Sequence, residues 1–307
     1  MSKERVGFVG VGLMGHGMAK NIVEKGYPLT VLAHKNRAPV EDLKQRGAKE
    51  AKSAKELAET CDVVILCVTG APEVDAIVRG KDGLKAGAQK GLVIIDTSTS
   101  EPTLTVALAE ELSTLGVTFV DAPLARTPKE AAEGRLGVMV GGSAETFARV
   151  KPVLSTFGEN ITHVGPTGAG HTMKLINNFV SLGYGAIFSE ALVLARKVGI
   201  TPKVFDSVIR GGRMDCGFYQ TFIGYALEGN RESHKFALRN AHKDLRYFVN
   251  VANARGLANP VGSAVKNSYA TAEALGYGEA NIPLLVDVIG QVNGLKPMHA
   301  AKRTAAE

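Results

Sequence analysis

The stretch that decides the fold is Val6-Gly-Phe-Val-Gly10-Val-Gly12-Leu13-Met14-Gly15, an apolar run that leads directly into closely spaced glycines. It predicts a first strand, a tight turn and a first helix. Gly10 permits the turn, Gly12 lets the backbone approach a pyrophosphate, and Gly15 lets the helix pack against the strand. The helix would direct its unpaired N–H groups and its positive dipole end at the phosphates. We therefore expect Gly10, Gly12, Leu13, Met14 and Gly15 to bind a dinucleotide.

The turn after the second predicted strand, residues 29–33, is where a dinucleotide site distinguishes NAD from NADP. A site that prefers NAD usually carries Asp or Glu there, about 20 residues past the glycines, bound to the ribose 2′-hydroxyl. This chain instead reads His34-Lys35-Asn36-Arg37, and basic side chains attract a 2′-phosphate that a carboxylate would repel. We therefore expect NADP(H) to be favoured over NAD(H), with His34 and Lys35 in the cofactor site. A solvated basic turn is the structural alternative.

Short apolar runs rich in β-branched residues alternate with segments of helical spacing through the first half of the chain. The predicted strands are residues 6–9, 29–33, 62–68, 92–96, 117–121, 137–140 and 161–164, with helices such as 53–60, 101–115 and 144–157 between them. This alternation predicts an α/β fold with a doubly wound, mainly parallel sheet of the Rossmann type. We expect a dinucleotide-binding Rossmann domain over residues 1–164.

No strand is predicted beyond residue 165, where the spacing of apolar residues becomes helical. A long helix over residues 171–198 leads into helices at 202–209, 218–227, 241–255, 262–275 and 282–292. We expect an all-α domain over residues 165–307 that serves the substrate and oligomerisation and is joined to the first domain by the long helix. The charged, alanine-rich tail after Met298 is expected to fray.

Composition favours a soluble protein of the cytoplasm over a nucleic-acid or membrane protein. The 307 residues carry a net charge of +6, but Lys and Arg are scattered and aromatic residues make up only 6%. We therefore expect small anionic ligands and no nucleic acid. The longest charge-free stretch, residues 175–189, is too short and too polar to span a bilayer. Three cysteines without metal-ligand spacing, and a first strand that starts almost at once, predict no metal, a reducing compartment and no signal peptide.

The strongest chemical pattern is formed by Lys174 and Asn178, which lie four residues apart in the predicted long helix and therefore on one face. The two side chains could hold a substrate oxygen between them. A lysine ammonium could protonate that oxygen as hydride reaches the carbon, and a neutral lysine could remove the proton in the reverse reaction. His171 is a rival acid/base because an imidazole titrates near neutral pH. An ordinary helix with an exposed lysine is the structural alternative.

Further candidate residues lie at the carboxyl ends of strands, where ligands bind in an open α/β sheet. Thr69, Ser98 and Thr99 follow the third and fourth predicted strands, and their hydroxyls could contact the nicotinamide ribose or cap helices. We assign Thr69 and Thr99, with the neighbouring Val68, to the cofactor site. Arg126 presents a planar fork suited to a carboxylate, sulfonate or phosphate, and Lys243 could close over the cofactor. The alternatives for these two residues are a surface arginine and a solvated helix face.

Taken together, these segments resemble the β-hydroxyacid dehydrogenases, the family of 3-hydroxyisobutyrate dehydrogenase and 2-hydroxy-3-oxopropionate (tartronate semialdehyde) reductase. The resemblance covers nearly the whole chain, with motifs in family order: Gly10-x-Gly12-x-Met14-Gly15, Asp96-x-Ser98-Thr99, Asp121-Ala-Pro123, Gly168-x-Gly170-x-x-x-Lys174-x-x-Asn177-Asn178 and Lys243-Asp244-Leu245. It implies an NAD(P)-dependent oxidoreductase that interconverts a small β-hydroxy acid and its semialdehyde, built as a homodimer or homotetramer. It also implies that Lys174 is the catalytic acid/base, that Asn178 orients the substrate and that Lys243 lies near the nicotinamide.

The chain departs from this family pattern after Pro123. A typical member has Val-Ser-Gly-Gly there, whose hydroxyl and amides grip the substrate carboxylate, whereas this chain has Leu124-Ala125-Arg126-Thr127. The Arg-Thr pair resembles the sulfolactaldehyde reductase branch, which uses it for a sulfonate. We therefore assign Ala125, Arg126 and Thr127 to the substrate site and expect a small anionic hydroxy acid or semialdehyde. Two alternatives stay open: a sulfolactaldehyde reductase-like enzyme and a non-catalytic dinucleotide-binding sensor.

Overall fold

A nine-stranded sheet occupies the first part of the chain in the computed structural model, which describes residues 3–299. Its strands are β1 (Val6–Val9), β2 (Leu29–Leu32), β3 (Lys49–Ala51), β4 (Val63–Leu66), β5 (Val93–Asp96), β6 (Thr118–Asp121), β7 (Leu124–Ala125), β8 (Leu136–Gly141) and β9 (Gly158–Gly165). Their spatial order is β3-β2-β1-β4-β5-β6-β8-β7, and β9 also pairs with β8. Strands β1 to β6 are parallel. The strand order reverses between β1 and β4, which opens a crevice at their carboxyl ends.

Helices cover both faces of this sheet, and the predicted Rossmann-type fold is confirmed. They are α1 (Gly15–Glu24), α2 (Ala38–Gln45), α3 (Ala54–Thr60), α4 (Ala71–Arg79), α5 (Pro102–Ser113), α6 (Pro128–Glu133) and α7 (Ala144–Leu154). Successive strand residues point to opposite faces. In β4, Val63 therefore packs in the buried cluster that contains Met18 of α1. The next residue, Val64, packs in a second cluster with Leu108 of α5.

Two strands are missing from the sequence-based prediction, and both are short. The edge strand β3 has three residues and exposes Lys49, while β7 has only two residues. Neither is long enough to show a strand pattern, since β3 reads Lys-Glu-Ala and β7 consists of Leu124 and Ala125 alone. Their strand conformation comes from pairing with residues distant in the chain, as between Leu32 and Ala51 and between Ala125 and Gly137.

The second unit is built from helices, and its described residues contain no strand. The long helix α8 (Ala169–Lys197) is followed by α9 (Pro202–Ile209), α10 (Gly217–Phe222), α11 (Gly224–Glu228), α12 (Leu238–Ala254), α13 (Pro260–Ala274) and α14 (Leu285–Val292). Tyr219, Tyr225 and Tyr269 are fully buried in the core of this unit. The predicted helix over residues 218–227 is divided into α10 and α11.

The division between the two units falls inside α8, between Leu175 and Ile176. The domain boundary expected at residue 164 stays a prediction. By length and composition α8 could cross a membrane, although more than half of its apolar window is buried, as in the core helices of soluble proteins. The expected absence of a membrane span therefore also stays a prediction. Apart from His299, the predicted tail after Met298 lies outside the described residues.

Candidate active site

In the glycine turn between β1 and α1, Gly10 and Gly15 pack tightly against neighbouring backbone, whereas Gly12 faces open space. Gly10 has a φ of 96°, and a Cβ added there would lie 2.2 Å from the carbonyl oxygen of Cys67. A Cβ at Gly15 would lie 2.0 Å from the carbonyl oxygen of Gly10, whereas one at Gly12 would meet no atom within 4 Å. The backbone at Gly12 is thus accessible at the N-terminus of α1. These residues fit a pyrophosphate at this turn.

The basic turn after β2 carries less free positive charge than its sequence suggests. The Arg37 guanidinium donates to Glu50, with distances of 3.0 and 2.9 Å to the two carboxylate oxygens, and to Glu41 at 2.8 Å. Arg37 holds the pKa of both Glu41 and Glu50 below the usual range. His34 and Lys35 are exposed. The cofactor roles predicted for His34 and Lys35 stay predictions.

The ends of β4 and β5 are joined by Ser98. Its buried hydroxyl accepts a hydrogen bond from the N–H of Val68 at 3.0 Å. Ser98 therefore links the two strand ends and caps no helix. Thr69 is exposed after β4, and Thr99 is half-buried after β5. Both threonines lie at carboxyl ends of parallel strands, the edge at which ligands bind.

Arg126 has a backbone conformation that normally favours glycine. Among the described residues it is the one non-glycine residue with a positive φ, at 80°. Its guanidinium donates to the carbonyl oxygen of Arg135 and, at 2.5 Å, to the Glu159 carboxylate. Arg126 thereby holds the pKa of Glu159 below the usual range. The Arg126 guanidinium, which was predicted to bind the substrate, is bound to the carboxylate of Glu159 of the same chain in this structure.

Thr127 and Ala125 flank Arg126 and have structural contacts of their own. Thr127 precedes α6 in a capping box: its N–H donates to the Glu130 carboxylate, and its side chain accepts the backbone N–H of Glu130. The Thr127 hydroxyl also donates to the Glu130 carboxylate. Ala125 in β7 pairs with Gly137 of β8. The substrate roles of Ala125 and Thr127 stay predictions.

The first turn of α8 is held from the sheet by Asp121. This buried carboxylate accepts the N–H groups of Gly168 and His171, each at 2.8 Å. The His171 side chain is fully buried, with Nδ1 2.7 Å from Thr105 Oγ1. An imidazole enclosed in this way cannot exchange a proton with a substrate, which argues against the rival acid/base. Lys174 lies in the next turn of α8 and is half-buried.

In the second unit, Asp244 links Asn178 to Lys243. The buried Asn178 amide donates to Asp244 Oδ2 at 2.7 Å, and Lys243 Nζ lies 3.1 Å from Asp244 Oδ1. Lys243 Nζ is also 5.4 Å from the centroid of the Tyr247 ring. The sequence predicts no separate role for Asp244, which appears there only within the motif Lys243-Asp244-Leu245. An acidic residue directly beside a candidate lysine is the pattern that could have indicated this pairing.

No group of three or more His, Cys, Asp or Glu side chains suited to a metal ion occurs within residues 3–299. The cysteines of this range, Cys61, Cys67 and Cys216, are free. Burial raises the pKa of the Cys67 thiol to about 11. Burial likewise raises the pKa of the Cys61 thiol, so neither of these two cysteines is poised as a thiolate nucleophile at neutral pH by its surroundings.

Two family models match successive parts of the chain. The model for the NAD binding domain of 6-phosphogluconate dehydrogenase matches residues 5–165, which is more than half of the chain. The model described as NAD-binding of NADP-dependent 3-hydroxyisobutyrate dehydrogenase matches residues 168–289. The two matches together include the glycine turn, α8 and the segment that carries Lys243.

The chain is similar in sequence to several dehydrogenases and reductases. The 3-hydroxyisobutyrate dehydrogenase of Pseudomonas aeruginosa is 34% identical, covering 86% of this chain and 90% of that protein. The 3-sulfolactaldehyde reductase of Escherichia coli is 29% identical, covering 92% and 95%. The structure of Mycobacterium tuberculosis 3-hydroxyisobutyrate dehydrogenase with L-serine is 27% identical, with a TM-score of 0.83 over 94% of this chain and 99% of that one.

Proposed function

This chain belongs to the β-hydroxyacid dehydrogenase family of NAD(P)-dependent oxidoreductases, and we propose that it reduces a small semialdehyde carrying an acid group to the corresponding β-hydroxy acid. The observation that carries the proposal is the placement of Lys174 and Asn178 one helical turn apart on α8. Asn178 is held in turn by Asp244. A pure dinucleotide sensor has no need for such a pair.

The chemical roles follow from the properties of these side chains. A nicotinamide dinucleotide bound at the glycine turn supplies the hydride. Lys174, as an ammonium, donates a proton to the substrate oxygen, and as a neutral amine it removes that proton in the oxidation direction. Asn178 orients the same oxygen. Lys243 is held by Asp244, and its match to the family motif assigns it to the cofactor site.

We further propose that Arg126 and Thr127 bind the acid group of the substrate, as a carboxylate or a sulfonate. The competing pair of Arg126 with Glu159 is half-exposed, so water screens it and weakens it. A substrate anion enclosed in the site away from water would bind the guanidinium more strongly and displace Glu159. The similarity to 3-sulfolactaldehyde reductase supports the sulfonate as the second candidate.

The proposed activity is tested with purified protein, NADPH or NADH, and a panel of small aldehydes. We expect loss of nicotinamide absorbance with at least one of tartronate semialdehyde, methylmalonate semialdehyde, succinic semialdehyde and sulfolactaldehyde. Tight binding of the cofactor without turnover of any aldehyde would instead favour the non-catalytic sensor. The rank of the carboxylate and sulfonate substrates would identify the acid group.

The exposed basic turn favours NADP(H), and His34→Asp tests this preference. The new carboxylate would accept the ribose 2′-hydroxyl of NADH and repel the 2′-phosphate of NADPH. We expect the ratio of kcat/KM for NADPH to that for NADH to fall at least about tenfold, which corresponds to 1.4 kcal/mol. Lys81→Ala, which removes one unit of positive charge from an exposed position after α4, is the control. A wild-type preference for NADH would refute the interpretation of this turn.

We also propose a cytoplasmic homodimer or homotetramer assembled through the second unit. One face of α8 exposes apolar side chains at helical spacing, namely Ile176, Val180, Tyr184, Ile187 and Leu194. A face of this kind is typical of a protein–protein interface. In a purified enzyme, a second copy of the chain is the partner that can cover this apolar face.

A charge placed in this apolar face should lower the oligomeric state. Ile187 is 59% exposed, so Ile187→Glu should leave the fold intact and weaken the contact between copies. We expect a smaller mass than wild type by light scattering at equal concentration. Ala264→Glu adds the same charge at an exposed position of α13 and should leave the mass unchanged. A wild-type mass equal to one chain would contradict the proposed assembly.

A further inference from the structure

A buried polar cluster surrounds the start of α8, and the proposed reaction does not use it directly. It consists of Asp96 at the end of β5, Thr105 on α5, Asp121 at the end of β6 and His171 on α8. Each of these residues is no more than 1% exposed. Buried polar side chains cost free energy unless they are hydrogen-bonded. The protons on these four side chains must therefore be placed so that each buried polar atom has a partner.

Two atoms of the cluster face each other without a hydrogen bond from any other group. His171 Nε2 and Asp96 Oδ2 are 3.7 Å apart, and neither has a hydrogen-bond partner among the described residues. Without a proton on either atom, two lone pairs would face each other away from water. That arrangement carries the full desolvation cost of both groups.

The other atoms of the pair are already satisfied. His171 Nδ1 is 2.7 Å from Thr105 Oγ1, and the Thr105 hydroxyl donates to the carbonyl oxygen of Glu101 at 3.2 Å. The hydroxyl oxygen is therefore free to accept the Nδ1 proton. Asp96 Oδ1 accepts the N–H of Ser98 at 2.9 Å. Only Nε2 and Oδ2 remain to share a further proton.

The surrounding charges favour retention of that proton. The Asp121 carboxylate is stabilised by two N–H groups at the N-terminus of α8. A second negative charge at Asp96 would be buried near it with one backbone donor. Burial accordingly raises the pKa of the Asp96 carboxyl, and the Asp121 charge adds to this rise while His171 and Ser98 oppose it.

We propose that the buried pair of Asp96 and His171 retains one proton, carried on Oδ2 or on Nε2 across the 3.7 Å that separates these atoms, and that this bridge positions the first turn of α8 for Lys174. The positioning role rests on the proposed function of Lys174, whereas the bridge itself does not. Asp121 fixes the backbone of the turn, and the bridge fixes its rotation about the helix axis. A displacement of about 1 Å at a reacting group can cost about 10²-fold in rate. His171 is thus a positioning residue.

Three variants test the bridge, together with one matched control. His171→Phe keeps an aromatic ring but removes both nitrogens, and Asp96→Leu removes the carboxyl. Asp96→Asn preserves the bridge, because its oxygen can accept from Ser98 and its amide can donate to His171 Nε2. The control is His163→Phe on β9, which removes a histidine whose Nε2 lies 2.7 Å from the carbonyl oxygen of Gly142.

We expect His171→Phe and Asp96→Leu to lower kcat by roughly 10- to 100-fold, with KM for NADPH unchanged. Asp96→Asn and His163→Phe should keep most of the wild-type kcat. Equal losses in Asp96→Asn and Asp96→Leu would overturn the shared proton. Wild-type kcat in His171→Phe would overturn the positioning role.

Proton NMR of the full chain separates this proposal from the proposed function. Wild type labelled with ¹⁵N-histidine should show a slowly exchanging proton at this pair, distinct from the Nδ1 proton that faces Thr105, and this proton should be lost in His171→Phe and Asp96→Leu. Its absence in wild type would overturn the bridge, whether or not any aldehyde is reduced. If the protein binds NADPH but reduces no aldehyde, the proposed function fails and the resonance alone decides the bridge. If His171→Phe does not fold, the spectra of wild type and the two Asp96 variants decide whether the bridge exists.

Discussion

Replacement of Lys174 by alanine is expected to lower kcat by about 10²–10⁴-fold, the usual contribution of general acid/base catalysis. The affinity for NADPH should stay near wild type, because the glycine turn is formed by β1 and α1 and not by this side chain. Steady-state rates with saturating aldehyde measure the first quantity, and a fluorescence titration with NADPH measures the second. Retention of more than half of the turnover would refute the assignment.

Two further lysine variants identify the property that matters. Lys174→Arg retains a positive charge but cannot give up its proton at neutral pH, so it should recover little activity if proton transfer is the role. Substantial recovery would indicate electrostatic stabilisation alone. Lys197→Ala removes an exposed lysine from the last turn of the same helix. It should leave kcat unchanged.

Replacement of Arg126 by alanine is expected to raise KM for anionic aldehydes at least about tenfold. Loss of one hydrogen bond between charged groups costs about 1.5–3 kcal/mol, and 1.4 kcal/mol is a factor of ten. A neutral aldehyde of equal size should lose much less, because it has no acid group for the guanidinium. The comparison requires KM values for carboxylate, sulfonate and neutral substrates. Unchanged KM values would make Arg126 a surface residue.

The unusual backbone at Arg126 requires a matched variant. Arginine and alanine both carry a Cβ and are equally strained at a φ of 80°, whereas glycine is not. Arg126→Gly should therefore raise KM as Arg126→Ala does, without lowering the melting temperature. Glu159→Gln should have the opposite effect and lower KM by up to about fivefold, since it removes the carboxylate that competes with the substrate for the guanidinium and exposed pairs of this kind are weak. Arg135→Ala, which retains the backbone carbonyl that Arg126 contacts, is the control.

The sequence alone predicted the features that depend on neighbouring residues. The glycine spacing from Gly10 to Gly15 encodes the turn, because each glycine meets its constraint within a few residues or at the adjacent strand. Alternation of apolar runs and helical spacing predicted the Rossmann-type sheet. The interval from Lys174 to Asn178 is one helical turn, so their common face follows from helix geometry.

Only the tertiary structure decided which charged side chains are already paired. Arg37 is neutralised by Glu50 on the unpredicted edge strand β3, and Arg126 is held by Glu159 on β9. The burial of His171 beside Asp96 likewise depends on how α8 packs on the ends of β5 and β6. These partners are distant in the chain, and sheet register and helix packing bring them together. Local periodicity specifies which elements form, whereas the availability of a charge depends on contacts that no local pattern contains.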